Sequence, residues 1–223
     1  ADGGNIFALV MGVPDDQKQK VIEALKKDIA ANDGHLDTGI FGTQFFFEVL
    51  ADNGLQDLAY EAMNKKTRPS YGWWIEQGAT TSWEQWDGSG SRNHPMFGGG
   101  LVWFYRKLAG MNTDPENPGY RNIVFRPQPA SDLTYVSYSN LTPFGEAGIR
   151  WEKKNSQFII TITVPVGSTA TVYVPARSAD EVRESGASIK KNSKNIIIEG
   201  TEEGYVVLEV KSGTYVFSSG DIQ

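Results

Sequence analysis

The spacing of apolar residues changes once along this chain of 223 residues. Before Met111 they recur three and four positions apart, as at 55–63, which is the pattern of amphipathic helices. Beyond Met111, apolar and polar residues alternate, which indicates strands. A connector rich in proline and turn residues, NTDPENPG at 112–119, separates the two patterns. The sequence therefore predicts two domains, 1–112 and 113–223, with helices in the first and an antiparallel β-sandwich in the second.

The first domain is predicted to hold about five helices, joined by loops of very unequal length. The long loops, at 35–42 and between Pro69 and Pro95, carry the unusual residues. Because long loops at one end of an array of helical hairpins build a binding face, we expect the functional residues there. End signals and apolar spacing place the helices at 1–12, 13–32, from Thr43 or Gln44 to Gly54, 55–63, and from Pro95 to about Gly110.

The second domain reads as strands rich in β-branched and aromatic residues. Turn residues separate them at intervals of roughly 8–12 residues, which is typical of a sandwich. No helix is expected there, and the charged stretch at 177–194 is interpreted as a loop or hairpin at a solvated edge. The predicted strands are 121–126, 133–140, 147–152, 158–164, 170–174, 196–199, 205–210 and 214–218.

Composition argues against several kinds of partner and cofactor. The net charge of −6 and the isoelectric point near 5.0 leave no basic stripe for phosphates, so we expect no nucleic-acid partner. No apolar run reaches the roughly 18 residues of a membrane span, so no membrane partner is expected. Cysteine is absent, which excludes disulfides and thiol nucleophiles. The two histidines lie far apart and outside any zinc motif, so we expect no metal and no cofactor.

The stretch at 71–100 is the densest in chemically useful side chains. Four of the six tryptophans lie in its first sixteen residues, with two glutamates among them and a histidine after them. Threonine, serine and glycine fill the gaps. Aromatic rings can stack on a sugar ring, and carboxyl groups can transfer protons. A carbohydrate site that also carries out proton chemistry is therefore one interpretation of this stretch.

Each polar candidate has a functional and a structural interpretation. Glu84, flanked by Trp83 and Trp86, suits a general acid or base in a partly apolar wall, or is a solvated loop residue. Glu76 has similar neighbours and suits a contact with a substrate hydroxyl. His94 is either a hydrogen-bonding partner of a sugar hydroxyl or a residue that caps or packs against the following helix.

The tryptophans form either a sugar platform or part of the core. Trp74, Trp83 and Trp86 stand among glycine, glutamine, threonine and serine, without a helical or strand period. We therefore expect a platform. Other catalytic motifs are missing, because the glycines at 98–100 lack the lysine and the preceding strand of a phosphate loop. No GxSxG elbow is present either.

Five stretches of the chain can be matched to a known family. They are HLDTGIFGT at 35–43, DNGLQDLAYEAM at 52–63, PSYGWWIEQGATTSWEQW at 69–86, NHPMFGGGLVWFYRKLAG at 93–110 and GYRNIVFRPQP at 119–129. Within them, the pair T-x-W-E-x-W and N-H-x-M-F-G is quite specific. From the start of the chain to about residue 176, these motifs and their order strongly resemble the bacterial α-L-rhamnosidases of glycoside hydrolase family 78.

The resemblance implies a fold, an activity and residue roles. The helices would be the last five or so of an (α/α)₆ toroid, and the sandwich would be the domain that follows it. The family hydrolyses terminal α-L-rhamnosyl bonds of plant polysaccharides or glycosides with inversion, using water and no metal. By motif, Glu84 matches the general base that activates this water, and His94 matches a histidine that contacts rhamnose. Trp83 and Trp86 match the aromatic frame around the base.

The family's general acid has no counterpart here. In the family it lies with neighbouring aspartates on the earlier half of the barrel, and no stretch of this chain resembles that motif. We therefore expect a C-terminal portion of a longer enzyme, which supplies the base and is inactive alone. The loop at 85–93, between Glu84 and His94, is shorter than expected for the family.

Two alternatives to this function stay open. One is another six-hairpin glycosidase with a different sugar specificity. The other is a carbohydrate-binding protein without catalysis, in which the tryptophans only bind. A periplasmic or extracellular location is slightly favoured over a cytoplasmic one, since exported proteins often lack cysteine too.

Overall fold

The computed structural model describes residues 2–130, 132–191 and 194–220. Ala1, the start of the first predicted helix, lies outside the described residues. The chain forms two compact units that divide between Trp103 and Phe104. The predicted boundary after residue 112 falls later, inside the proline-rich connector.

The first unit is helical. Its second helix shows why these segments fold, because Asp15 and Asp16 lie in its positively polarised first turn and Ile22, Leu25 and Ile29 form its buried side. Its described residues form α1 (Asp2–Met11), α2 (Asp15–Ala31), α3 (Ile40–Asp52), α4 (Gln56–Asn64), α5 (Tyr71–Glu76) and α6 (Gly99–Trp103).

Helix α3 supplies most of the core of this unit. Phe46, Phe47 and Leu50 are fully buried, and Phe47 lies 6.0 Å from the ring of Trp103 in α6. Helix α6 comes close to α3, because a Cβ atom on Gly99 would lie 2.5 Å from the carbonyl oxygen of Thr43. The residue at this position must therefore lack a side chain.

The start predicted for α3 at Thr43 or Gln44 is wrong, since the helix begins at Ile40. The amide and the hydroxyl of Thr43 both donate to the carbonyl of Gly39, each at 3.0 Å. Thr43 is therefore a residue inside the helix whose hydroxyl bonds the preceding turn, and it does not cap the helix.

Two further expectations need correction. The predicted loop between Pro69 and Pro95 is not a loop throughout, because it contains α5. Ser70 starts this helix: its hydroxyl accepts from the amide of Trp73 at 3.0 Å, as an N-cap does. The single helix expected from Pro95 is instead a 3₁₀ turn at Pro95–Phe97, helix α6, and a π turn at Phe104–Leu108.

The second unit is a β-sandwich, as predicted, with one difference in strand direction. Strands β2 and β6 pair in parallel, whereas the other described pairs are antiparallel. The described strands are β1 (Met111–Thr113), β2 (Asn122–Phe125), β3 (Tyr135–Thr142), β4 (Gly145–Lys154), β5 (Gln157–Val164), β6 (Thr169–Pro175), β7 (Arg183–Glu184), β8 (Ala187–Ser188), β9 (Ile196–Glu202), β10 (Tyr205–Val210) and β11 (Gly213–Gly220).

The strands form two sheets, and the chain crosses between them more than once. One sheet has the order β1-β2-β6-β10-β9, and the other has the order β3-β4-β5-β11-β7-β8. Between β2 and β6 the chain builds three strands of the second sheet, so β6 returns to the first sheet without a hairpin. This route permits the parallel pair, which a hairpin cannot make.

The charged stretch at 177–194 is partly a hairpin, as interpreted, although residues 192–193 lie outside the described residues. Strands β7 and β8 pair with each other, and β7 pairs with β11. Val182 and Ile189 anchor the hairpin, since both are buried. Two 3₁₀ turns of three residues each lie here, at Ala179–Glu181 and Ile189–Lys191, and no α-helix lies among the described residues of the sandwich.

Trp151 in β4 joins the sandwich core to the π turn. Its side chain is fully buried, and its indole N–H donates to the carbonyl of Leu108 at 2.8 Å. The ring of Phe158 lies 5.5 Å away. This tryptophan therefore fills space and also satisfies a backbone oxygen.

We expect Trp151→Phe to lower the free energy of unfolding of the sandwich by about 2–4 kcal/mol, because a cavity forms and the Leu108 oxygen loses its donor. Phe217→Leu is the matched control, since Phe217 is equally buried in the same sheet without a hydrogen bond to lose. Urea unfolding followed by circular dichroism measures both changes. If Trp151→Phe lowers the free energy of unfolding by no more than the control does, the role of this hydrogen bond is contradicted.

Candidate active site

The tryptophan-rich stretch folds around a cluster of aromatic rings. Trp74, Trp83 and Phe97 are buried at its centre, and Tyr71 and Trp86 pack against them. The rings of Trp74 and Trp86 stack at 4.3 Å, and Phe97 lies 4.6 Å from Trp86 with its edge turned to it. The cluster joins α5, the loop and the 3₁₀ turn at Pro95–Phe97 into one packed body.

This burial corrects the expectation of a sugar platform for two of the three tryptophans. Trp74 is 2% exposed and Trp83 is 5% exposed, so neither ring offers a face on which a sugar could stack. Trp86 is half-buried, and Trp74 covers one of its faces. The missing helical or strand period led to the prediction of a platform. It misled because these rings bury one another within a loop, where burial follows no period.

Hydrogen bonds fix the orientation of the cluster. The indole of Trp74 donates to the carbonyl of Trp86 at 3.2 Å, and the indole of Trp86 donates to the carbonyl of Thr38 at 3.2 Å. Tyr71 donates its hydroxyl to the carbonyl of Phe97. Burial raises the pKa of Tyr71 far above its usual range, so its hydroxyl remains a neutral donor.

Beyond the cluster, residues 81–84 and 91–94 form two antiparallel arms, which we call the loop arms. The amide of Glu84 donates to the carbonyl of Ser91 at 2.8 Å, and the amide of His94 donates to the carbonyl of Ser82 at 2.7 Å. The guanidinium of Arg92 lies 4.8 Å above the ring of Trp83. Glu84 and His94 are therefore held on facing arms of one loop.

Asp87 lies at the turn between the arms. It accepts from the amide of Ser89 at 2.9 Å and from the hydroxyl of Ser89 at 2.6 Å. These bonds, led by the hydroxyl, lower the pKa of Asp87, so this carboxylate stays ionised and stabilises the turn. Asp87 therefore shapes the short loop.

The Glu84 carboxylate is half-buried and is held on one side only. Its Oε2 atom accepts from the amide of Ser91 at 2.8 Å. Within the described residues, no donor reaches Oε1. One oxygen is thus fixed by the protein, and the other is available to accept a hydrogen bond or a proton.

One ring nitrogen of His94 makes no hydrogen bond with the described residues. Its Nδ1 atom is shielded from solvent and lacks a hydrogen-bonding partner among the described residues. A buried polar atom without a partner costs about 1–3 kcal/mol, so such atoms are rare and call for an explanation. A sugar hydroxyl would satisfy this nitrogen.

His35, the other histidine, is fully used by the protein. Its Nδ1 atom lies 2.9 Å from the carbonyl of Asn32, and its Nε2 atom lies 2.7 Å from the hydroxyl of Thr67. The side chain is buried. His35 therefore links two loops and is a structural residue.

Glu76 lies apart from the loop arms at the end of α5. It is exposed, and its carboxylate pairs with Lys66 at 3.3 Å, with both side chains largely in solvent. Such surface pairs contribute little to stability. The structure places Glu84 and His94 on facing arms, but it gives Glu76 a different partner.

Sequence reasoning missed the residues that support Glu84 and His94. Ser82 and Ser91 act through their backbone groups, and Thr38 binds Trp86 through its carbonyl. Backbone groups carry no residue-specific signal, so no motif could have indicated them. The short spacing between Glu84 and His94 was the available hint that the loop folds back on itself.

The described residues contain no group of three or more histidine, cysteine, aspartate or glutamate side chains that could bind a metal ion. No helix in the described ranges has the length and apolar character needed to cross a membrane.

A polar groove of about 390 Å³ lies on the face of the five-stranded sheet of the sandwich. The groove mixes an arginine with two glutamates and lacks a histidine or a buried carboxylate, so it does not suit acid–base chemistry. Its lining residues are Asn117, Arg121, Asn122, Thr169, Thr171, Glu199 and Glu209.

Two family models match the chain in succession. The model of the bacterial α-L-rhamnosidase six-hairpin glycosidase domain covers residues 2–108, and the model of the bacterial α-L-rhamnosidase C-terminal domain covers residues 110–188. The resemblance drawn from the motifs and the predicted fold class are both confirmed.

Known relatives agree with these models. A curated α-L-rhamnosidase of Streptomyces avermitilis is 33% identical over 92% of this chain, which spans only 20% of that relative's length. The solved α-L-rhamnosidase of Dictyoglumus thermophilum is 38% identical, with a TM-score of 0.86 over 99% of this chain and 25% of its own. The Streptomyces avermitilis enzyme, solved in complex with L-rhamnose, is 32% identical, with a TM-score of 0.85 over 98% of this chain and 21% of its own.

The chain therefore spans about a fifth to a quarter of the length of these relatives. Both of its units are matched, the helical one by the glycosidase domain and the sandwich by the C-terminal domain. Fold, motifs and relatives all lead to the same assignment, and the chain belongs to the bacterial α-L-rhamnosidases.

Proposed function

We propose that this chain supplies the water-activating side of an inverting α-L-rhamnosidase site. The observation that carries the proposal is the Glu84 carboxylate, half-buried on a loop arm with one oxygen held and the other available. The substrate class is a terminal α-L-rhamnosyl group, which agrees with the L-rhamnose bound by the Streptomyces avermitilis relative.

In the proposed reaction, Glu84 removes a proton from a water molecule. The oxygen of this water forms a bond to the anomeric carbon on the face opposite the leaving group. The glycosidic C–O bond breaks, and the leaving oxygen takes a proton from a carboxylic acid. Inverting glycosidases place these two carboxyl groups roughly 6.5–9.5 Å apart, which leaves room for the water.

The carboxylic acid of this reaction has no counterpart in the chain. No stretch resembles the acid-rich motif of the family, and the described carboxylates near Glu84 have other roles. Asp87 stabilises the turn, and Glu76 pairs with Lys66. The chain thus provides one half of the catalytic pair.

His94 provides a sugar contact in this proposal. Its buried and unsatisfied Nδ1 atom suits a hydrogen bond with a rhamnose hydroxyl. Trp86, half-buried and two residues after Glu84, contributes part of the apolar wall, while Trp74 and Trp83 belong to the buried cluster against which Trp86 packs. A contact between Glu76 and a substrate hydroxyl stays a prediction.

We expect Glu84→Gln in the full-length parent enzyme to reduce kcat by about 10²–10⁴-fold, because glutamine cannot accept the proton. Binding of L-rhamnose should be retained, since the side chain keeps its shape. Glu61→Gln, at an exposed carboxyl group of α4, is the control and should leave turnover nearly unchanged. Release of L-rhamnose from an aryl α-L-rhamnoside measures both, and near-normal turnover of Glu84→Gln would remove Glu84 from the base role.

We expect the 223-residue chain alone to release no L-rhamnose above the background set by its own Glu84→Gln variant. The reason is that the leaving oxygen has no acid to protonate it. The same aryl rhamnoside assay, at high protein concentration, provides the measurement. Hydrolysis at a rate close to that of the parent would show that the chain contains both catalytic groups.

His94→Ala in the parent should lower kcat/KM by about 10- to 100-fold, because one hydrogen bond to the sugar is lost. Its thermal stability should hardly change, since the Nδ1 atom has no described protein partner to lose. His35→Ala is the opposite case, and we expect a lower Tm with kcat/KM nearly preserved. Paired kinetics and thermal unfolding separate the two histidines. Reversed behaviour would exclude His94 as a sugar contact.

A further inference from the structure

We propose that Gly90 and Ser91 position the catalytic carboxylate, so that Oε1 of Glu84 is the atom that accepts the proton of water. This inference rests on the proposed function of Glu84 and adds the residues that hold it. Both positioning residues lie in the short loop at 85–93: Ser91 begins the arm that faces Glu84, and Gly90 directly precedes it.

Ser91 binds Glu84 twice. The amide of Ser91 donates to Oε2 of the carboxylate at 2.8 Å, and the carbonyl of Ser91 accepts from the amide of Glu84 at 2.8 Å. The first bond is charge-assisted and therefore among the stronger ones. Together, the two bonds fix both the backbone and the side chain of Glu84 against one residue of the facing arm.

Gly90 leaves the space in which the carboxylate lies. A Cβ atom on Gly90 would lie 2.7 Å from Oε2 of Glu84 and 3.1 Å from its Cδ. The first distance is shorter than real Cβ contacts allow, so any side chain at this position must displace the carboxylate. The backbone of Gly90 also has a φ of +75°, which favours glycine.

Gly88, two residues before Gly90, also leaves space for a side chain of a loop arm, that of Trp83. A Cβ atom there would lie 2.7 Å from the ring of Trp83. The two glycines of the loop thus lie against two consecutive residues, Trp83 and Glu84. The shortness of the loop allows its own backbone to pack directly on the base and on the ring beside it.

The consequence is a difference between the two carboxylate oxygens. Oε2 is bonded to the Ser91 amide and packed against Gly90, whereas no described donor reaches Oε1. In the reaction, the O–H bond of water breaks and the proton moves to Oε1, while the water oxygen attacks the anomeric carbon. A carboxylate that is already fixed need not reorient in the transition state.

Gly90→Ala in the full-length parent enzyme tests this inference. We expect kcat to fall by about 10- to 100-fold with KM nearly unchanged, because a displacement of about 1 Å at a catalytic group has an effect of this size. Gly78→Ala is the matched control. Gly78 has a φ of +80°, and a Cβ atom there would meet no heavy atom within 4 Å, so it has the same backbone strain without the collision. Its kcat should stay within about twofold of the parent.

A double-variant comparison separates positioning from general damage to the loop. If Gly90 acts through the carboxylate, adding Gly90→Ala to Glu84→Gln should cause no further loss of kcat, since the group it positions is already inactive. A further loss equal to that of the single variant, together with a lower Tm, would overturn the positioning role and indicate structural damage.

The outcomes also separate this inference from the proposed function. Near-normal turnover in Glu84→Gln removes the base, and with it any positioning of a base. If Glu84→Gln loses turnover but Gly90→Ala keeps a kcat close to that of Gly78→Ala, the base role of Glu84 stands and only the positioning role of Gly90 is overturned. A lower kcat in both single variants, with no further loss of kcat in the double variant, supports both the base role of Glu84 and its positioning by Gly90.

Discussion

The loop arms depend on the packing of Trp74 against Trp86. Their rings stack at 4.3 Å, and each indole N–H donates to a backbone carbonyl, so neither ring can turn without breaking a part-buried hydrogen bond. The carbonyl bonded to Trp86 belongs to Thr38, which comes from a distant loop of the same unit. The position of Trp86 therefore fixes the start of the turn that brings Ser91 back to Glu84.

Two kinds of group share the work of building this site. The aromatic cluster gives the loop a rigid base and removes water from one side of it. The backbone of the short loop then holds the carboxylate, through the amide of Ser91 and the open space at Gly90. Rigid support under the groups that contact a substrate is what keeps a catalytic geometry within the small tolerance that it needs.

The sequence predicted the elements and the family better than it predicted the site. Apolar periodicity reports which side of a helix or strand is buried, so it identified long elements and missed the two-residue strands β7 and β8. It did not report the burial of Trp74 and Trp83, because loop residues have no period. The pairing of Glu84 with Ser91 was also out of reach, since a backbone amide is the same in every residue except proline.

The two histidines show what a structure adds to a motif. Neither histidine reveals in the sequence whether the protein itself uses its ring nitrogens. In the fold, His35 has a partner for each ring nitrogen, whereas Nδ1 of His94 is buried without a described partner. An unsatisfied buried nitrogen costs free energy, and a functional requirement is one reason for a fold to retain it. Glu84 differs, because its Oε1 atom is not among the buried atoms that lack a partner; the amide of Ser91 holds Oε2, and no described donor reaches Oε1.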